Sequence, residues 1–403
     1  MFGLFKSFPK TRDWDIEAET GRGDPYFPED TGRYAGRGRQ DDDRRDTDDG
    51  TDFGPDWSFG VNPIAQVVDK LPAPAFQPME NVNALNVLPV NIWIDWNGGD
   101  TFHGTDGIDF AWGLGGRDQI LLYDGNDVAY GGAGNDLILG GRGDDTLFGG
   151  VGSDVLSGDV GDDTLDGGDG DDILIGGHGR DGIYGGAGND TIKGDTGNDR
   201  VRAGDGDDHV EGGDENDVLW GDEGNDTMFG GSGDDQVMGG MGNDLLRGGQ
   251  GDDDIRGGVG SDDLYGDQGN DFMLAGNGND HIRGGTNGAG SVGDYMIGGG
   301  GFDAFYFAKG DSGGIAAPMD VVEDFVSGGD LLVFEDFGTS SFLGEADGFS
   351  GVPGAEAYFE HTQSDIHGDV TIVHLRDGND LAEDLSVSLL GHVDLTANDL
   401  FIV

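Results

Sequence analysis

From Gly104 to Arg283 the chain repeats one pattern of polar and apolar positions every nine residues, for twenty units without a slip. One unit reads Gly131-Gly132-Ala133-Gly134-Asn135-Asp136-Leu137-Ile138-Leu139. The sixth position is Asp in all twenty units and the fourth is Gly in all but one, where Glu215 stands. The eighth is Ile, Leu, Val or Met except at Ala111 and Ala129. A phase held this long marks a stack of small units, each unable to bury its apolar face alone. Each unit predicts a tight turn in its Gly-rich part and a short strand over the seventh to ninth positions. The eighth side chain points inward and its neighbours outward. Two units make one coil of eighteen residues, so each unit lies on the next unit but one, about 4.8 Å away. The predicted fold is all-β: a right-handed parallel β-roll, a nonapeptide-repeat solenoid of about ten coils.

Partial units flank the strict array. Asp100 and Phe102 fit a preceding unit, Gly284 to Ile297 is a unit lengthened by five residues, and Gly298 to Tyr306 closes the series with aromatics. The expected organisation has four parts. Residues 1–60 form a disordered arm rich in Gly, Asp, Arg and Pro, and residues 61–94 an extended N-terminal cap or linker. Residues 95–306 form the roll. Residues 307–403 form a small C-terminal β cap, in which apolar runs such as Val370-Thr371-Ile372-Val373 alternate with turn signals such as Asp377-Gly378-Asn379-Asp380.

Charge sharpens this picture. Acidic residues number 81 against 21 basic, a net charge of -60, which repels nucleic acid and anionic membrane surfaces and attracts cations. A disordered acidic tail or a halophilic surface would scatter its carboxylates, whereas here they hold one phase. The absence of Cys excludes disulfides and thiolate metal sites. No run approaches the ~18–20 apolar residues of a membrane-spanning helix. Met1 to Lys10 lacks the ~7–15-residue apolar core of a cleaved signal peptide, so export is expected to use another address.

Stacking sets Asp109 over Asp127, Asp118 over Asp136, and so on along the array. Two bare carboxylates ~5 Å apart repel by roughly 3 kcal/mol at an effective dielectric near 20. One aliphatic side chain per nine residues is a thin core against that repulsion and against the entropy of ordering. The roll is therefore expected to need a cation between its aspartates. Carboxylates and carbonyls are the ligands on offer, which selects a hard cation, and a flexible cage of many oxygens favours Ca²⁺ over Mg²⁺. Metal binding then becomes folding free energy.

The units resemble the hemolysin-type, or RTX, calcium-binding repeat Gly-Gly-x-Gly-x-Asp-x-aliphatic-x. The resemblance implies multiple Ca²⁺ ions between adjacent coils, held by carbonyls of the Gly-rich positions and by the sixth-position carboxylates. Those are Asp109, Asp118, Asp127, Asp136, Asp145, Asp154, Asp163, Asp172, Asp181, Asp190 and Asp199 in the first half. Asp208, Asp217, Asp226, Asp235, Asp244, Asp253, Asp262, Asp271, Asp280, Asp294 and Asp303 follow in the second. Asp320 to Phe334 is similar to the cap after such rolls in the serralysin-like branch. Ala397 to Val403 resembles the acidic-then-apolar tail of type I secretion substrates. That implies the type I secretion machinery as a partner and a secreted, extracellular or cell-surface location. Some units depart from the pattern. Thr105, Leu114 and Leu122-Tyr123 replace glycines, so the first three units are expected to bind Ca²⁺ poorly. Glu215 predicts a weakened site near Asp217, and Asp159, Asp195, Asp222 and Asp267 at the second position add either ligands or charge alone.

Other chemistry is sparse. The eight His residues form no H-E-x-x-H and no Walker A run is present, so no enzymatic activity is expected. Trp112, Tyr130, Phe148, Tyr184 and Trp220 fall at ninth positions of alternate units and so in one outward row. That row reads either as a contact strip for a glycan or protein partner or as a cross-strand aromatic ladder. The expected function is a calcium-folded surface or matrix protein. The alternatives are a secreted effector acting on membranes and an accessory module of a polysaccharide-active enzyme.

Overall fold

The computed structural model describes residues 91–94, 98–287, 293–308, 311, 319–335, 337, 340–345, 355–364, 368–376 and 385–402. They belong to one compact unit; a second, Lys10–Glu80, lies outside the described residues, as do the expected arm and most of the expected linker. Among the described residues all regular structure is strand. Strands β1 (Asn91–Ile94) to β24 (Ala304–Ala308) alternate between two parallel sheets, twelve in each. Register is constant at eighteen residues, as in Val128↔Thr146 and Leu147↔Leu165.

The strands are longer than expected. Val128–Ala133 is representative: it runs from the seventh position of one unit to the third of the next. The leading glycines join the strand because their amides and carbonyls pair in the same register, as in Gly132↔Gly150. The turn contracts to the fourth to sixth positions. Two positions per unit therefore face inward. Eighth-position side chains, such as Ile138, Leu165, Leu219 and Leu264, are 0–1% exposed and fill the space between the sheets. The first position also faces in and is nearly always Gly. A Cβ on Gly149 would lie 2.5 Å from both Asp154 Oδ2 and Gly167 O, so Gly best leaves room for the carboxylate behind it, and in the strict array the position departs from Gly only at the buried Leu122, Ala203 and Ala275.

The second and fourth positions adopt the left-handed backbone, with φ 114° at Gly150 and 134° at Gly152. Leu114, Tyr123, Asp159, Asp195, Glu215, Asp222 and Asp267 adopt it too, at φ 64–78°. Asp tolerates this region far better than Leu or Tyr. The stack thus imposes its backbone even where the side chain opposes it.

Beyond Thr286 the register lengthens, to 23 residues at Phe272↔Tyr295 and 27 at Ala304↔Leu331, yet both sheets continue. Strand β25 (Asp320–Val322) extends one sheet and β26 (Leu331–Glu335) the other. After β27 (Ser340–Glu345), strands β28 (Ala355–Ser364), β29 (Gly368–Arg376) and β30 (Leu385–Leu390) form an antiparallel meander. It rejoins the roll where β30 pairs β25, and β31 (Leu400–Ile402) pairs β26. The meander buries Val373, Leu375, Leu385 and Val387, together with the ion pair of Arg376 with Glu356 at 2.5 Å.

In the calcium-loaded protein, Leu219→Ala is expected to cost about 2–5 kcal/mol, as for any buried Leu truncated to a cavity. Val259→Ala, at a side chain 45% exposed, is expected to stay within about 0.5 kcal/mol. Denaturant unfolding reads both, and equal midpoints would overturn the assignment of inward and outward rows.

Candidate metal centres

The sixth-position carboxylates form two lines, one along each edge of the roll. In each line the backbone amide of one Asp donates to Oδ1 of the Asp one coil further on. Asp136 N to Asp154 Oδ1 is 2.7 Å and Asp217 N to Asp235 Oδ1 is 2.8 Å. The carbonyl of the same Asp accepts the next coil's strand amide, as from Val155 N to Asp136 O at 2.9 Å. Every turn is thereby tied to its neighbour through one aspartate. The other oxygen is left over. From Asp118 to Asp280, Oδ2 of nineteen successive sixth-position aspartates is buried with no hydrogen-bond partner. An ionised oxygen in that position carries a large desolvation cost unless a cation meets it.

Burial accordingly raises these groups from an ordinary 3.8. Asp154 and Asp226 rise to about 6, Asp253 and Asp262 to about 7. Asp145 and Asp217 rise to about 8. The amide bond from the preceding coil pulls each back down, and neighbouring carboxylates push it further up. At Asp271, pushed to about 9, the carboxylate of Asp294 is the second cause after burial. The repulsion expected between bare carboxylates is thus partly relieved by protonation and by the amide bonds.

The remaining donors suit a hard cation. The carbonyls of the second and fourth positions project along the stack: a Cβ on Gly150 would sit 2.2 Å from Gly132 O, and one on Gly152 1.9 Å from Gly134 O. The first-position carbonyl converges on the carboxylate, as Gly167 O and Asp154 Oδ2 do beside Gly149. An orphaned carboxylate oxygen amid several carbonyls fits Ca²⁺, which takes six to eight oxygen ligands, better than Mg²⁺.

The departures sort themselves out. Asp109 Oδ2 already accepts the Thr105 amide at 2.6 Å, and Leu122, fully buried, carries a side chain where first-position glycines leave room. Asp118 and Asp127, in the second and third units, nevertheless keep a buried, unpartnered Oδ2 like the later units. The side chains of Asp222 and Asp267 turn outward to Arg202 and to Arg247, the latter at 2.9 Å, so they bring charge and no ligand. Two aspartates escaped the sequence reading. Asp294 N donates to Asp320 Oδ1 at 3.0 Å and Asp303 N to Asp330 Oδ1 at 3.1 Å, so both lines run on into the cap. Their signal is the triplet Asp-apolar-apolar at Asp320-Val321-Val322 and Asp330-Leu331-Leu332, outside the nine-residue phase. Asp320 is fully buried like the aspartates of the roll, and both oxygens of Asp330 accept backbone amides.

Outside the turns, Trp112, Tyr130 and Phe148 stack nearly parallel, with ring centroids 5.8 and 4.6 Å apart, as a cross-strand ladder. The row is then broken by Asp166 and by Arg202. In the cap, Ser386 Oγ lies 3.3 Å from His374 Nδ1, and His374 Nε2 lies 3.5 Å from Glu360. Ser386 is 2% exposed, so no substrate carbonyl reaches it.

The RTX calcium-binding nonapeptide repeat family matches this chain in overlapping segments from residue 97 to residue 287. No curated protein matches the chain. Among solved structures, a subunit of the mannuronan C5-epimerase of Azotobacter vinelandii is 24% identical. The match covers 41% of this chain and 80% of that one, with a TM-score of 0.22. An extracellular lipase of Serratia marcescens is 16% identical over 62% of this chain and 45% of its own length, with a TM-score of 0.17. Scores this low leave the repeat match and the turn geometry to speak for the chain. Over residues 97–287 it is an RTX nonapeptide-repeat protein that binds Ca²⁺ at multiple sites.

Proposed function

We propose that this chain is a secreted protein whose roll is held unfolded by its own charge at low calcium and folds when Ca²⁺ enters the two lines of aspartates. In this reading the sixth-position aspartates from Asp118 to Asp303 are the carboxylate ligands, and Asp109 binds weakly or not at all. The observation that carries it is the unbroken series of buried, unpartnered Oδ2 atoms. A proton or a cation satisfies such an atom, and a cation satisfies all of them at neutral pH. The folded roll then serves as a rigid spacer at a cell surface or in a matrix. The outward aromatic row supplies a contact strip, and the tail ending at Val403 supplies the address for type I export. The membrane-effector reading needs a long apolar or amphipathic segment, and none stands in the sequence.

Calcium titration of EDTA-treated protein, followed by far-UV circular dichroism, is expected to give a cooperative coil-to-β transition at about 10⁻⁴–10⁻³ M, with little response to magnesium. A spectrum already rich in β in EDTA and unmoved by calcium would sink the proposal.

Position, and not charge alone, should set affinity. Asp235→Asn, at a carboxylate 1% exposed, is expected to move the calcium midpoint upward and lower the number of ions bound. Asp234→Asn removes the same charge from the exposed neighbouring position and is expected to change neither. Equilibrium dialysis with each variant separates the two outcomes.

The pH dependence has opposite signs with and without metal. In the metal-free roll burial raises the aspartates from Asp118 to Asp280, to about 6 at Asp154 and about 9 at Asp271, against 3.8 in the unfolded chain, so the folded state binds more protons. Its stability therefore rises as pH falls through that window and is lost as pH rises. Calcium needs the same groups ionised, so loading releases protons and apparent affinity falls as the solution is acidified. More β signal in EDTA at pH 5 than at pH 8, with a higher calcium midpoint at pH 6 than at pH 8, is the expected pair of results.

A further inference from the structure

Among the described residues, one group of His, Cys, Asp or Glu side chains brings three donor atoms within 4.8 Å of one another: His361, His392 and Asp394. They lie in the cap, away from the repeat turns. His361 is on β28, and the other two are in the segment that leads from β30 towards β31. His361 Nε2 and His392 Nε2 each lie 3.6 Å from Asp394 Oδ1. The two imidazoles stack with centroids 3.6 Å apart.

His361 is also held through its other nitrogen. Nδ1 lies 3.0 Å from Thr371 Oγ1, on the neighbouring strand β29. Thr371 is fully buried, and its hydroxyl donates to Gly391 O at 3.1 Å. The same oxygen accepts the Val393 amide at 2.9 Å. A hydroxyl has one proton and two lone pairs. With its proton on Gly391 O, the arrangement adopted for the site proposed below, the hydroxyl accepts from His361 and the imidazole proton stays on Nδ1. Nε2 is then a bare lone pair. It is buried, has no hydrogen-bond partner, and faces a carboxylate oxygen that is also an acceptor. Two acceptors facing each other beside a second imidazole need a cation between them.

We propose that His361 Nε2, His392 Nε2 and Asp394 Oδ1 form a site for a borderline divalent cation, Zn²⁺, distinct from the calcium sites of the roll. Ligand atoms bonded at about 2.0–2.2 Å to a tetrahedral Zn²⁺ stand about 3.3 Å apart, close to the two separations of 3.6 Å. Nitrogen donors disfavour Ca²⁺ and Mg²⁺, so the site and the roll select different metals. Thr371 acts as the positioning residue, holding the His361 ring through Nδ1 and the segment 391–393 through the same oxygen. His392 is 59% and Asp394 85% exposed, so the ion has an open approach and a fourth position for water. Bound there, it ties strand β28 to the segment that precedes the last strand.

The test is isothermal titration of the full chain with Zn²⁺ in excess Ca²⁺, which keeps the roll folded and its carboxylates occupied. Wild type is expected to bind one Zn²⁺ per chain that His361→Gln, His392→Gln and Asp394→Asn each weaken about tenfold or more. The last two change exposed side chains and leave the fold intact. Zinc-edge X-ray absorption should report two imidazoles. Zinc binding that is absent, not saturable at one ion, or identical in wild type and all three variants would overturn the site, and would mean that a protonated His361 pairs with Asp394 instead. Neither result bears on calcium binding by the repeats.

Discussion

The whole particle depends on one buried carboxylate per turn being made tolerable. Each aspartate joins its coil to the next through three groups: its amide, its carbonyl and one carboxylate oxygen. No other side chain recurs without exception, because no other makes a contact that every turn needs. The second oxygen is the remainder of that arrangement. It cannot reach water and finds no donor, so the metal-free stack holds a series of sites that want either a proton or a metal. The glycine at the first position follows from the same constraint. A side chain there crowds the carboxylate and its converging carbonyl, so the position departs from Gly in the strict array only at Leu122, Ala203 and Ala275.

This explains why so thin a core suffices. Eighth-position aliphatics seal the space between the sheets, but they do not distinguish one coil from another, since Leu147, Leu156, Leu165 and Leu174 are interchangeable. Discrimination lies in the turns, where the backbone bends to fit the aspartate even at Leu114 and Tyr123. A chain built in this way stores its folding free energy in contacts between adjacent coils and little within any one of them. Order therefore spreads along the axis from whichever end is fixed first.

The repeat was legible because it is local and periodic. Phase alone identified the inward eighth positions, the sixth-position aspartate line and the row containing Trp112, Tyr130 and Phe148. The strand length was not legible. Gly-Gly reads as a turn by propensity, and only the neighbouring coil pulls it into the ladder. Asp320 and Asp330 were missed because their coils are 26 and 27 residues long, so the stacked aspartate recurs in space without recurring in sequence. The cap hid most. β30 meets β25 across a long stretch of chain, and His361 meets His392 only because Thr371 lies between them on β29. Contacts of that kind leave no period to read.

Constant register also governs how such a chain can change length. An insertion of eighteen residues adds one coil and leaves every face as it was. An insertion of nine keeps each turn intact but exchanges the two sheets from that point on. The row of Trp112 and Tyr130 would then continue on the opposite side, and the strands that receive β30 and β31 would trade places. The lengthened unit between Arg283 and Asp294 shows the third way: with five more residues in the unit, the strands before and after it stay in their own sheets. Growth by whole coils and growth by loops are therefore neutral to the surface this protein presents, whereas growth by a single repeat inverts it.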